Sequence, residues 1–287
     1  EGYVYRVQKK ELYDEFGEDI VKNIISYLSV GLGNENKSFN NIDDFNILYS
    51  KPIVDFGEYI YMPLPINTIQ NLPKLFHYEF VANTKIRKKA RANYKQWRGD
   101  LVEELTAEYL NRLFKKKSIY TSLYYFNNGE RFESDVTVQV KGTTLLCECK
   151  SKILVLDSLK GKLESIEKDF KAAIGKAYEQ AIRTEKWIMD EKEFELDETK
   201  VNSKVIKLNK TKQNFKLCIV VENFGWIASN ISNYIKVEDK KDLPLVFNIY
   251  DLDIITKELN NYKEFIKYLE FRNKYQDKVE FVDELEM

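Results

Sequence analysis

The stretch Glu133-Ser134-Asp135-Val136-Thr137-Val138-Gln139-Val140-Lys141-Gly142-Thr143-Thr144-Leu145-Leu146-Cys147-Glu148-Cys149-Lys150-Ser151 decides the reading of this chain. Lys141-Gly142 is a two-residue turn signal, because glycine supplies the positive φ that tight hairpin turns require. Val140 then faces Thr143, and counting outwards from the turn places Asp135 across from Glu148. Side chains alternate between the faces of a strand. One face of the hairpin therefore carries Val136, Val138, Val140, Leu145, Cys147 and Cys149, and suits a core. The other carries Asp135, Thr137, Gln139, Thr144, Glu148 and Lys150, with Leu146 as its apolar exception. Opposed side chains in such a pair start roughly 5 Å apart, so two carboxylates and one ammonium converge at the open end of the hairpin.

Two like charges held this close repel, and each is costly to bury alone. A hard divalent cation resolves the conflict: magnesium takes oxygen ligands and binds through one or two carboxylates together with waters and substrate phosphate. Lys150, two residues beyond Glu148 on the same face, is placed to orient or deprotonate a water or to hold a phosphate oxygen. The bland alternative is a solvated hairpin face with a cross-strand ion pair.

This arrangement resembles the PD-(D/E)xK nuclease superfamily, whose signature is an acid at the start of one strand and an acid-x-Lys on the next. Asp135 matches the first acid and Glu148-Cys149-Lys150 the second element. Ser134 stands where the signature has proline. Members also carry a glutamate on a preceding helix, often a few residues after a glycine. Arg98-Gly99-Asp100-Leu101-Val102-Glu103 fits that pattern, which selects Glu103, with adjacent Glu104 as the alternative. Some branches place a glutamine on the following helix; here that amide is Gln180, which a solvated helix residue explains equally well.

The resemblance covers about Trp97 to Ala181. It implies an α/β fold with a central mixed sheet flanked by helices, restriction-endonuclease-like. It also implies that Asp135, Glu148 and the backbone carbonyl of Cys149 bind Mg²⁺ or Mn²⁺, with Glu103 completing the shell. Lys150 then positions the attacking water. The implied activity is hydrolysis of phosphodiester bonds, with DNA favoured over RNA, in a restriction or phage-defence setting that includes a homodimer or a larger defence complex. The rival is a catalytically inactive nucleic-acid-binding or assembly module on the same fold.

Outside the hairpin the periodicity sets out the rest. Leu101, Leu105, Tyr109 and Leu113 repeat every four residues, as in a helix with one buried stripe. Ser118–Phe126, Val205–Leu208, Phe215–Val221 and Leu245–Tyr250 read as strands, Leu163–Ala181 as a long amphipathic helix and Tyr262–Tyr275 as a last helix. Residues 1–80 read as a separate, mostly helical accessory region of unknown role, in which Phe16, Ile20, Ile24 and Leu28 mark a helix. Residues 81–287 form the nuclease-like domain. The chain opens on Glu1 rather than Met, which leaves room for an upstream segment.

The 287 residues are 44% hydrophobic and 14% aromatic, enough to bury a sizeable core. The 45 basic and 46 acidic residues give a net charge of −1, so a polyanion must be recognised by local clustering. The one long acid-free block, Val81–Arg98, holds Lys85, Arg87, Lys88, Lys89, Arg91, Lys95 and Arg98 together with Tyr94 and Trp97. It reads equally as a phosphate-tracking surface with stacking aromatics or as a solvated helix face. Three cysteines without a CxxC pair indicate reduced thiols in a cytoplasmic protein, and His77, the only histidine, reads as structural. No apolar run reaches the length of a membrane span.

Overall fold

In the computed structural model, residues 5–278 are described except 35, 38, 42, 43, 45, 64, 66, 67, 69–71, 73, 78, 79, 81–86, 160, 161, 198–202, 223, 225–227, 229, 236–241 and 277. The chain divides into two compact units, residues 1–91 with 156–162, and residues 92–155 with 163–287. The sequence reading instead divides the chain after residue 80.

The first unit contains β1 (Tyr5–Gln8), α1 (Lys9–Phe16), α2 (Glu18–Leu28), β2 (Ser29–Gly31), β3 (Ile53–Asp55) and β4 (Tyr59–Met62). Its four strands form a sheet in the order β1-β4-β3-β2, in addition to the helices expected there. Strands of three or four residues are too short to show alternation in sequence. The expected helix through Phe16, Ile20 and Ile24 is broken at Gly17 (φ 89°), and those three side chains are exposed. The buried face is Val21, Ile25 and Leu28, packed on Ile53, Ile60 and Leu75.

α3 (Lys88–Leu110) carries Lys88, Lys89, Arg91, Lys95 and Arg98 of the basic block together with Glu103 on one continuous helix of 23 residues. Its fully buried line is Val102, Thr106 and Leu110, one residue on from the expected Leu101, Leu105 and Tyr109, which are half-buried flanks. Leu113 lies beyond the helix end.

The second unit is built on a seven-stranded mixed sheet. Its strands are β5 (Ile119–Asn127), β6 (Glu130–Val140), β7 (Thr143–Lys150), β8 (Glu193–Asp197), β9 (Ser203–Lys207), β10 (Gln213–Val220) and β11 (Leu245–Asn248), in the order β11-β10-β7-β6-β5-β8-β9. β7, β10 and β11 run parallel, and the other neighbours antiparallel. Both predicted turns have their glycine at positive φ: Asn128-Gly129 at 52° and 83°, and Lys141-Gly142 at 39° and 85°. Two successive left-handed residues match the twist of the flanking strands. The β6–β7 register is Val140↔Thr143 through Val136↔Cys147, as counted from the turn.

One face of the hairpin packs Val136, Val138, Leu145, Cys147 and Cys149 against Val102, Leu110 and Phe114, and this core extends to Phe247, Phe265 and Leu269. The other face is not solvated. α4 (Leu163–Phe170), a π-helical turn at Lys171–Gly175, and α5 (Lys176–Met189) together replace the single expected helix. They supply Phe170, Ile174, Ala177 and Tyr178 beside Cys218 and Val220, and Ala181 and Ile188 beside Leu123, Tyr125 and Leu146. Thr137, Thr144 and Glu148 on that face are fully buried.

The strand expected over Leu245–Tyr250 stops at Asn248. The Asn248 side chain accepts the Tyr250 N–H at 2.9 Å and starts α6 (Ile249–Glu258), a helix not anticipated from sequence. α7 (Tyr262–Tyr275) follows, capped by Asn261. Among the described residues no helix is long and apolar enough to cross a membrane.

Because the second hairpin face is core rather than surface, Leu146→Ala is expected to lower the unfolding free energy by about 2–5 kcal/mol. The same truncation at exposed Val205 is expected to cost less than about 1 kcal/mol, both read from urea denaturation midpoints.

Candidate active site

The site forms where β6 and β7 part. The β6–β7 ladder ends at Val136↔Cys147, one position short of Asp135. On its other side β6 pairs with β5 at Thr121↔Val136 and again at Leu123↔Ser134, skipping Ser122 and Asp135. Ser122 has a φ of 52°, a left-handed conformation uncommon outside glycine. Asp135 is therefore released from both ladders at once.

Its carboxylate folds across to β7. Asp135 Oδ2 accepts the Cys149 N–H at 2.7 Å and the Lys150 ammonium at 3.3 Å. Lys150 Nζ also donates to the Cys149 carbonyl at 3.1 Å. Burial works against the Lys150 charge, but the neighbouring Asp135 and Glu148 outweigh it and hold the amine above its ordinary value. Lys150 is thus a fixed cation rather than a free base.

Glu148 is 0% exposed. Ser134 Oγ reaches its Oε1 at 3.4 Å, while Oε2 has no hydrogen-bond partner. Burial first, and then the charge of Asp135, push this carboxyl well above the usual carboxylate range, with Lys150 opposing. Glu103, on α3, is driven by burial and then by Asp135, Glu133 and Asp100 up to about 8. Glu104 beside it is exposed. The helix is held at this point by Thr106, whose hydroxyl accepts from the Cys149 thiol at 3.5 Å.

Three contributors were not singled out from sequence. Glu133, half-buried and hydrogen-bonded by the Tyr124 and Ser122 hydroxyls, is raised by burial and by Asp135. Its signal was available, since it lies two residues before Asp135 on the same face. Ser134, in the position of the signature proline, holds Glu148. Asp169 of α4 is buried and fixes the chain leaving β7, accepting the Val155 N–H at 2.7 Å and pairing with Lys152 at 2.8 Å.

Gln180 is half-buried on α5, with no hydrogen bond to the acids. Of the basic block, Lys85 lies outside the described residues. Arg87, Lys88 and Lys89 are exposed and Arg91 is half-buried, all in the first unit. Lys95 is exposed and Arg98 half-buried in the second unit. Burial lowers the Arg98 guanidinium, opposed by Tyr94 and by Glu222, a buried acid just past the end of β10.

Among the described residues no group of three or more His, Cys, Asp or Glu side chains stands ready-arranged around a metal position. Asp135 Oδ2 is instead taken up by the Cys149 N–H and Lys150. The donor set nevertheless fits a hard divalent cation. It is made of carboxyl oxygens and one backbone carbonyl, and a fully buried carboxyl oxygen of Glu148 is left without a partner. No protein-family model, curated protein or solved structure matches the chain.

Two outcomes follow from this geometry. Glu103 keeps its proton in the folded state between 4.5, its ordinary value, and about 8. The folded state binds more protons than the unfolded one in that window, so stability falls as pH rises through it. Calorimetry in EDTA is expected to show Tm dropping across the window, and a shallower drop in Glu103→Gln. Separately, Ser122→Val, a β-branched residue at positive φ, is expected to lose the wild-type Tm, falling by several degrees in the same calorimetry. Ser122→Gly is expected to retain it.

Proposed function

We propose that this chain is a metal-dependent nuclease of the PD-(D/E)xK type, hydrolysing phosphodiester bonds in DNA. The observation that carries the reading is the convergence of Glu103, Asp135, Glu148 and Lys150 at one end of the sheet, with the Glu148 carboxyl wholly buried and half-satisfied. Carboxyls pushed up by mutual repulsion and burial are what a cation site looks like without its ion.

Asp135, Glu148 and the Cys149 carbonyl would hold Mg²⁺ or Mn²⁺, with Glu103 completing the shell. Bound there, the ion supplies Lewis-acid stabilisation of the charge that develops at phosphorus. The chain's own groups do the rest. Lys150, kept cationic by Asp135 and Glu148, donates to a phosphate oxygen or to the attacking water and fixes its line of approach. Ser134 fixes one oxygen of Glu148. The α4–α5 layer over Glu148 keeps bulk water from that side, which strengthens every charge interaction inside. A restriction or antiviral-defence setting rests on the resemblance alone.

The second reading, a nucleic-acid-binding or assembly module without activity, draws on the absence of a ready-arranged group of three acids among the described residues. Incubation with supercoiled plasmid, linear single strands and RNA in Mg²⁺, Mn²⁺ or EDTA separates the two. Metal-dependent cutting that falls by more than about 100-fold in Glu148→Ala and in Lys150→Ala supports the enzyme. Binding without cutting in every metal supports the module, and cutting confined to RNA reassigns the substrate.

A further inference from the structure

The meridian of α3 that is buried against the sheet can be followed back towards the helix start, where it is no longer buried. Val102, Thr106 and Leu110 lie on it, and at about 100° per residue Gly99 falls on the same meridian one turn earlier, with Lys95 another turn back. Thr106 meets Cys149, the next-to-last residue of β7. One turn back, Glu103 is at the strand end among the acids. Gly99 therefore lies about 6 Å further along the helix axis, beyond the strand end.

Gly99 is half-buried, yet among the described residues nothing lies within 4 Å of a Cβ built on it. Its φ is not positive either. Glycine weakens a helix interior relative to alanine, and here neither packing nor backbone conformation calls for it. The open space at its Cβ position is flanked along the helix by two cations, Lys95 and Arg98. Lys95 is exposed and makes no hydrogen bond or ion pair with the described residues, and Arg98 stands by Glu222.

We infer that the gap under Gly99 is the passage through which the sugar-phosphate backbone of the substrate crosses α3 to reach Glu148 and Lys150. Gly99 provides clearance, and Lys95 contacts a neighbouring phosphate. This rests on the nuclease reading and names the strand path within it. A side chain at 99 closes the passage without touching the acids, and the loss of Lys95 removes one phosphate contact.

The test uses the full chain and fluorescein-labelled single-stranded and duplex DNA oligonucleotides. Binding is read by anisotropy in Ca²⁺, cutting in Mn²⁺, Mn²⁺ affinity by calorimetry and folding by Tm. Gly99→Leu is expected to bind DNA at least about 10-fold more weakly than wild type and to lose cutting in proportion. Its Mn²⁺ affinity stays unchanged and its Tm is equal or higher. Gly99→Ala is expected to raise Tm while weakening DNA binding to a smaller degree. Lys95→Ala is expected to reduce the slope of log affinity against log salt by about one. Wild-type DNA binding and cutting in Gly99→Leu overturns the passage and leaves the nuclease reading standing. Wild-type protein that binds DNA without cutting removes the hydrolase reading, while loss of that binding in Gly99→Leu still supports the passage. Wild-type protein that neither binds nor cuts removes both.

Discussion

The organising constraint is the repulsion of carboxyl groups confined where water cannot separate them. Glu148 lies wholly inside, Asp135 folds against it, and Glu103 and Glu133 approach from a helix and a neighbouring strand position. One ammonium, Lys150, sits among four acids, and burial together with the charge of Asp135 raises Glu103, Glu133 and Glu148 above the ordinary carboxylate range. A fold does not accumulate such a cost for stability alone. Replacing buried ionic groups by apolar ones of similar shape is often neutral or stabilising.

The rest of the second unit maintains that confinement. α3 brings Glu103 to the sheet from one side and is pinned by Thr106 on Cys149. The α4–α5 layer closes the other side over Leu146 and Glu148. β10, parallel to β7, pairs with it through Lys150 and prevents the acid-bearing strand end from fraying. Asp169 then ties down the chain just beyond. The acids are crowded because the elements carrying them are each fixed by packing elsewhere.

Much of the hairpin was legible in sequence because it obeys a strict period of two between turn residues whose backbone preferences are known. Its core face and its register from Val140↔Thr143 to Val136↔Cys147 follow from that, whereas the pair expected between Asp135 and Glu148 is not formed and Asp135 reaches β7 through its side chain instead. The break in pairing at Asp135 was not legible: opposite it on β5 stands Ser122 in a left-handed conformation, for which serine has no strong preference. β8 was hidden because Glu193, Glu195 and Asp197 surround its two apolar residues, Phe194 and Leu196. α6 was hidden because its cap, Asn248, lies inside an apolar run that reads as one strand. On α3 the four-residue spacing was right but the buried line was displaced by one, since Leu101 and Leu105 flank the contact that Val102 and Thr106 make.

The turn at Lys141-Gly142 is far from the acids along the hairpin, yet it sets their phase. Five consecutive pairs run from Val140↔Thr143 to Val136↔Cys147, and each carries the turn's geometry one step outward. One additional residue in the turn would slip the strands by a single position and send Glu148 and Lys150 to the face now held by cysteines and valines. The facing of the acids and the ammonium at one tip of this ribbon is thus encoded by the length of the loop at the other, and that facing is kept only by changes in steps of two.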